Sequence, residues 1–189
     1  MPFGITNKSD QELWNLLRMS DKSAFSTLYR RHIKDLLHFG SKLCSDRELI
    51  KDTLQELFVD FWNKRQLLPE VTYVKVYLIK SFRYKLLRAT ANANRSAIFE
   101  LEDLTKDVPS EQIIENEIAQ ERQLALKAKL DLLPERQREV IHLRYFQNLT
   151  NDEIANIINV NYQSVSNLLQ RALKNLKKKM KGELSREGY

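Results

Sequence analysis

The residues of this chain best equipped for chemistry are amides, hydroxyls and cations spaced along one C-terminal stretch, and the chemistry they fit is the reading and holding of DNA. Gln163, Ser164, Ser166 and Asn167 stand where the second helix of a helix-turn-helix would begin, and the first residues of such a helix reach base edges. Gln and Asn can each pair bidentately with adenine, worth about 1–3 kcal/mol of discrimination per good pair. Arg171, Lys174, Lys177, Lys178, Lys179 and Lys181 continue the helix along the path that phosphates would take if its start entered a major groove. Arg171 and Lys174 lie nearest the readers, where they would hold phosphates or extend the readout by about one turn.

The elements that must position these side chains are legible in residues 149–178. Thr150 and Glu153 have capping-box spacing and start a short helix at Asn151. Ile154 and Ile158 are expected to face inward, and Ala155 is small where a second helix must cross closely. Val160 falls in the turn, and Val165 and Leu168 anchor the next helix. Asn159 sits where φ is often positive, a conformation Asn accepts better than other non-Gly residues.

No catalytic constellation stands out. His32 and His38 are six residues apart on one helix and point to different faces, while His142 lies in the other half of the chain. HExxH, glycine-rich phosphate loop, nucleophile elbow and zinc spacings are all missing from the sequence. The single cysteine, Cys44, rules out an internal disulfide and leaves no metal cluster. Binding must therefore carry the function, with no enzyme activity, metal or cofactor expected.

Composition points to an all-α fold. Four Gly, four Pro and abundant Leu, Lys, Glu and Gln accompany a lack of alternating β-branched runs. Charge interrupts every apolar run, so no span is expected, and the N-terminal residues do not read as a signal peptide; a cytoplasmic location is expected. The net charge of +6 is distributed unevenly. Residues 1–99 carry 17 Lys and Arg against 10 Asp and Glu, residues 100–122 carry 2 against 8, and residues 123–189 carry 12 against 7. An acidic block thus separates two basic ones.

Residues 1–92 read as a first domain of four helices. A capping box from Ser9 to Glu12 opens a helix with Leu13, Trp14, Leu16 and Leu17. A second begins near Asp21 and buries Ala24, Phe25, Leu28, His32 or Ile33, Leu36 and Leu37, with Gly40 loosening its end. Another capping box, Ser45 to Glu48, opens a third with Ile50, Leu54, Leu57, Phe58, Phe61 and Trp62 inside. A fourth, over about 72–91, mixes Tyr73, Val74, Tyr77, Leu78, Phe82 and Leu86 with basic residues. Residues 93–111 read as an acidic flexible linker, and 112–189 as a second small helical domain. Within it a helix runs from near Glu111 to Leu133, and Pro134 starts the next, 135–146, which buries Val140, Ile141 and Leu143 or Tyr145.

Two faces of the first domain carry polar patterns. On the third helix Asp52, Gln55, Glu56 and Val59 align away from the apolar stripe. Spacing alone favours a solvated acidic face; the other reading is a docking surface for a basic protein groove. On the fourth, Lys80, Arg83, Tyr84, Leu87 and Arg88 share a face on which cations could steer a phosphate backbone and an aromatic could stack on an unpaired base.

The order of these motifs resembles one family. Asp52-Thr-Leu-Gln55-Glu56-Leu-Phe58 with Phe61-Trp62, the aromatic and basic helix, Leu133-Pro134 through Val140, Leu143 to Phe146, Leu149-Thr150, Glu153-Ile154-Ala155 and Arg171-Ala172-Leu173 together resemble the bacterial extracytoplasmic-function (ECF) sigma factors of the sigma-70 type. The resemblance covers about 10–91 and 112–180. It implies that Asp52, Gln55, Glu56 and Val59 dock on the β′ clamp helices of core RNA polymerase. It also implies that the fourth helix, through Lys80, Arg83, Tyr84 and Arg88, melts the minus-10 element, with loop 65–71 holding a flipped base.

By the same resemblance, Gln163, Ser164, Ser166, Asn167, Arg171 and Lys174 read the minus-35 element while their domain rests on the β flap. The acidic linker would thread the channel that RNA later occupies, and an anti-sigma factor is a plausible partner of a chain otherwise monomeric outside the holoenzyme. Leu168 and Tyr84 depart from the commoner pattern, which has a basic residue and Asn there. The alternative is a conventional helix-turn-helix regulator that binds duplex DNA as a homodimer.

Overall fold

Each early helix begins on a side chain that accepts its free amides. The computed structural model describes residues 7–97, 126 and 128–184. In α1 (Asp10–Arg18) the Glu12 amide donates to the Ser9 hydroxyl at 3.2 Å and the Ser9 amide donates back to the Glu12 carboxylate at 2.7 Å, the expected capping box. In α2 (Lys22–Leu43) the amides of Ser23 and Ala24 donate to Asp21. The start of α3 (Arg47–Asn63) differs from expectation: the Leu49 amide donates to Asp46 at 3.0 Å, so Asp46 and not Ser45 is the cap. A carboxylate accepts as well as a hydroxyl and adds a charge that the helix N-terminus favours. A short 3-10 turn, Arg65–Leu67, leads to α4 (Val74–Ala97).

These four helices close around Trp14, which is fully buried. Phe61 and Tyr77 meet its ring edge-on at 5.6 and 5.3 Å, and its indole N–H donates to the Pro69 carbonyl at 2.9 Å, which ties down the connection to α4. Val74, Leu78, Ile79, Phe82 and Leu86 form the buried stripe of α4, joined by Val76, whereas Tyr73 is exposed. His32 takes the position in α2 that was open between it and Ile33, and is buried with its Nε2 2.8 Å from Asp10 Oδ2. The expected domain end at 92 falls inside α4, which runs through Ala97. The helix expected from near Glu111 lies outside the described residues except for its end at 128–131.

The second half follows Pro134 at the helix N-cap: α5 (Glu135–Ile141), a π turn (His142–Phe146), α6 (Asn151–Ile158) and α7 (Tyr162–Leu184). Thr150 and Glu153 form the expected capping box, and Asn159 adopts φ 55°, the left-handed conformation read from the sequence. The core differs in register. Ile154 is buried, but Ile157 rather than Ile158 completes the inner face of α6, and Leu169 rather than Leu168 follows Val165 in α7. Val165, Leu169 and Ala172 are spaced i, i+4, i+7, which keeps one stripe on α5 and α6. Leu143 is buried and Tyr145 exposed, which resolves the pair left open by periodicity.

The two halves pack against each other: α4 lies on α6, and α2 lies on α5 and the π turn.

Gly40 does not loosen the end of α2 as expected. It lies inside the helix, where an added Cβ would come within 2.9 Å of Ile50 Cγ2 and 3.0 Å of Phe82 Cζ. The missing side chain is what lets α2 approach α3 and α4. Gly40→Ala gains helix propensity worth up to about 1 kcal/mol but overpacks a site where both neighbours are buried, at a cost of about 1–3 kcal/mol. The expected result is net destabilisation by about 1 kcal/mol, a fall in Tm of about 2–4 °C by calorimetry; an unchanged or raised Tm would show that α2 and α3 separate freely.

Candidate nucleic-acid and partner interfaces

The helix-turn-helix presents a polar line to solvent. The Ser164 amide donates to the Asn161 side chain at 2.8 Å, which caps α7 and fixes where its first turn points. Gln163, Asn167, Arg171 and Lys174 are all exposed, at spacings that keep them on one face. The Gln163 amide donates to Asn167 Oδ1 at 3.2 Å, so the two expected base readers are hydrogen-bonded to each other. Ser164 and Ser166 are half-buried; Ser166 accepts a hydrogen bond from Asn151 of α6 at 3.4 Å and braces the two helices. Leu168 is half-buried against the core and Leu173 is exposed.

On α3, Asp52, Gln55, Glu56 and Val59 all face outward, and Val59 is an apolar residue left 49% exposed among polar ones. Phe58 is buried and supports the helix from inside, while Trp62 is half-buried beneath the Arg65 guanidinium at 4.5 Å. Lys85 of α4 reaches back to this helix, 2.6 Å from Asp60 and 3.3 Å from Glu56. Burial works against the Lys85 charge, but the hydrogen bonds to Asp60 and Glu56 outweigh it and raise its pKa. The hydrogen bond from Lys85 lowers that of Asp60 in turn.

The α4 residues read as one face do not behave alike. Lys80, Tyr84 and Arg88 are exposed and line a groove of about 1010 Å³, together with Tyr73, Tyr77 and Asn156 of α6. Tyr84 and Tyr73 are 69% and 66% exposed. Arg83 instead turns toward α5. Its Nε donates to Glu139 Oε1 at 2.6 Å and its second nitrogen to Oε2 at 3.3 Å, with side-chain exposures of only 19% and 4%. Lys80 donates to the Asn156 side chain at 2.6 Å, and Lys75 donates to the Gln147 carbonyl at 3.1 Å.

The sequence placed His38 and His142 in separate halves, and the fold brings their rings to 4.8 Å. His142 stacks on Phe146 at 5.1 Å and lies 5.8 Å from Phe39. Nothing in local spacing signals this contact or the burial of Glu139, because both depend on how the halves meet. Among the described residues no group of three His, Cys, Asp or Glu is placed to hold a metal, and no helix is long and apolar enough to cross a membrane.

Residues 123–176 match the family model described as sigma-70, region 4. Over 171 residues the chain is 27% identical to the ECF RNA polymerase sigma factor SigX of Bacillus subtilis (strain 168), covering 88% of this chain and 87% of that one. Over 168 residues it is 26% identical to the RNA polymerase sigma factor YlaC of the same organism, covering 86% and 95%. Two solved folds are similar. One is CnrH in complex with the cytosolic domain of CnrY, with TM-score 0.65, 17% identity and coverage of 93% of this chain and 99% of that one. The other is the sigma factor RpoE in complex with the anti-sigma factor NepR from Bartonella quintana, with TM-score 0.66, 18% identity and coverage of 83% and 96%. Residues 123–176 match sigma-70 region 4, and these findings support an RNA polymerase sigma factor of the ECF type over a dimeric helix-turn-helix regulator.

His142 gives the contact between the halves a pH dependence. Burial first, then the positive neighbours His38, Lys42 and Lys75, hold its pKa down to about 3, against about 6.5 when it is exposed to water. The packed state therefore favours neutral His142. Its contribution is complete above about pH 6.5 and is lost as pH falls from there toward 3, by about 1 kcal/mol per unit. Urea unfolding at pH 7.5 and 5.5 should show a loss of about 1 kcal/mol that is absent in His142→Gln; equal losses in both proteins would assign the pH dependence elsewhere.

Proposed function

We propose that this sigma factor directs bacterial core RNA polymerase to a set of promoters and helps open the DNA, with α7 reading the minus-35 element. The observation that carries this reading is the exposed line Gln163, Asn167, Arg171 and Lys174 on the second helix of a helix-turn-helix lying within the region 4 match. Ser164 lies beside that line, and Ser166 accepts a hydrogen bond from Asn151 of α6 that braces it. The protein recruits and positions, and catalysis belongs to the polymerase. It works in the cytoplasm, as a monomer until it joins the core enzyme.

The outward face of α3, Asp52, Gln55, Glu56 and Val59, docks on the β′ clamp helices. Three polar groups around one apolar residue suit a basic groove with an apolar floor. Lys80, Arg83, Tyr84 and Arg88 of α4, with loop 65–71, take the non-template strand of the minus-10 element. The groove supports this by setting two exposed tyrosines among cations, where an unpaired base can stack. The first unit, expected to end at 92, continues along α4 to Ala97, the acidic linker read over 93–111 begins after it, and the unit from 112 rests on the β flap. An anti-sigma factor is a further partner, as in the complex of RpoE with NepR.

Transcription from a library of random promoters, with core polymerase and with or without the purified chain, tests the whole reading. Discrete transcripts should depend on the chain and weaken when Asp52, Gln55 and Glu56 are all changed to Ala; their absence, with a core enzyme active on another sigma factor, would overturn it.

The readout of bases and the contact with phosphates separate cleanly. Gln163→Ala with Asn167→Ala should flatten preference within the minus-35 element by about 1–3 kcal/mol for each base pair lost, measured by competition between promoter variants. Arg171→Ala or Lys174→Ala should instead weaken holoenzyme binding on all promoters alike and reduce the slope of log affinity against log salt by about 1. A sequence-dependent effect of the cation variants would assign them to base readout.

A further inference from the structure

Loop 65–71 borders the proposed path of the unpaired strand with little packing of its own. Leu68 is its one buried side chain, Arg65 and Val71 are half-buried, and Gln66, Leu67, Pro69 and Glu70 are exposed. Leu68, Val71 and the Tyr73 that follows line the groove that holds Lys80 and Tyr84 of α4, so one side of the loop is a wall of that groove. Its other side does not rest on α1. An open cleft of about 400 Å³, lined by Asn15, Arg18, Met19, Gln66 and Glu70, lies between them.

Polar tethers hold the loop instead, and they run to α1 and to the turn behind it. The Trp14 indole N–H donates to the Pro69 carbonyl. At the start of the loop, Arg65 Nε donates to the Ser20 hydroxyl at 2.8 Å and a second guanidinium nitrogen donates to the Trp62 carbonyl at 2.7 Å, with the Trp62 ring centre 4.5 Å from the guanidinium carbon. Three contacts on one planar group fix its orientation. Ser20 holds its place against local preference. It follows the C-cap of α1, where its amide donates to the Leu17 carbonyl and that of Asp21 to the Leu16 carbonyl, the paired bonds that close a helix on a left-handed residue. Its φ is 72°, a conformation glycine adopts freely and serine does not. Glycine would close α1 without strain, but it lacks the hydroxyl that Arg65 uses.

We infer that Ser20 and Arg65 are positioning residues for strand capture: the turn after α1 holds Arg65, Arg65 fixes the start of loop 65–71, and the loop is set before DNA arrives to take one unpaired base of the minus-10 element. This role rests on the assignment of the loop and groove to the strand made above. Neither Ser20 nor Arg65 lines the groove, so both act through the loop. A loop ordered only on binding would lose part of the stacking energy to its own ordering, and the clamp removes that cost in advance.

The test uses holoenzyme and a promoter recovered from the random library, in competition with duplexes altered singly at each position of the minus-10 element. Ser20→Gly removes the hydroxyl at a position that glycine suits, so its Tm by calorimetry should equal or exceed that of the unaltered chain. In both Ser20→Gly and Arg65→Ala, discrimination should fall about tenfold at the one position whose base the loop holds and stay unchanged at the others. Ser20→Asn, which tolerates a positive φ and supplies another acceptor, should keep most of that discrimination. A merely structural role would lower binding alike at every position and in step with Tm.

Unchanged discrimination in Ser20→Gly and Arg65→Ala, a loss spread evenly over all positions, or an equal loss in Ser20→Asn overturns the positioning role. Tyr73→Ala and Tyr84→Ala in the same competition test the assignment of the groove separately. A loss at one position in the tyrosine variants with none in the clamp variants overturns the clamp alone, whereas no loss in either set overturns the assignment on which it rests.

Discussion

Arg83 and Glu139 meet in a place that neither side chain would choose by itself. Glu139 is buried and Arg83 largely so, and the attraction between two such charges is largely offset by the loss of their hydration. The pair consequently adds little net stability, yet it is exacting, because removing either partner strands a charge of the other sign. It fixes the register between the halves: α5 cannot slide or rotate on α4 without separating the guanidinium from the carboxylate. An apolar contact of the same size would tolerate such slippage. The other links across this contact are of the same kind, a few hydrogen bonds to carbonyl and amide oxygens beside one aromatic cluster. The polar contacts thus fix how the packed helices of the two halves are placed on each other.

That arrangement is possible because α4 has two fully used sides. Leu78, Ile79, Phe82 and Leu86 anchor it in the first bundle, and the approach of α2 to Phe82 depends on the bare Cα of Gly40. With its inner stripe fixed, the helical period decides where every other residue points. Lys80, Tyr84 and Arg88, each four residues apart, reach the groove, Arg83 falls on the flank toward α5, and Lys85 turns to α3. Lys85 joins the helix assigned to DNA to the helix assigned to polymerase through Glu56 and Asp60. The two surfaces are therefore braced against each other, so that engagement of one meets a positioned partner.

What local sequence encodes was legible, and what the meeting of distant segments decides was not. Ser9 with Glu12, Thr150 with Glu153, and Asn159 announce themselves because caps and left-handed turns are satisfied within a few residues. The outward face of α3 follows from periodicity alone. Asp46 displaced Ser45 because adjacent acceptors compete and spacing does not rank them. Ile157 and Leu169 replaced Ile158 and Leu168 because neighbouring apolar residues both fit a broad stripe, and the angle at which α6 crosses α7 selects one. Glu139 and His142 owe their roles to residues in the other half of the chain, and Gly40 to Ile50 and Phe82, which no helical period relates to it.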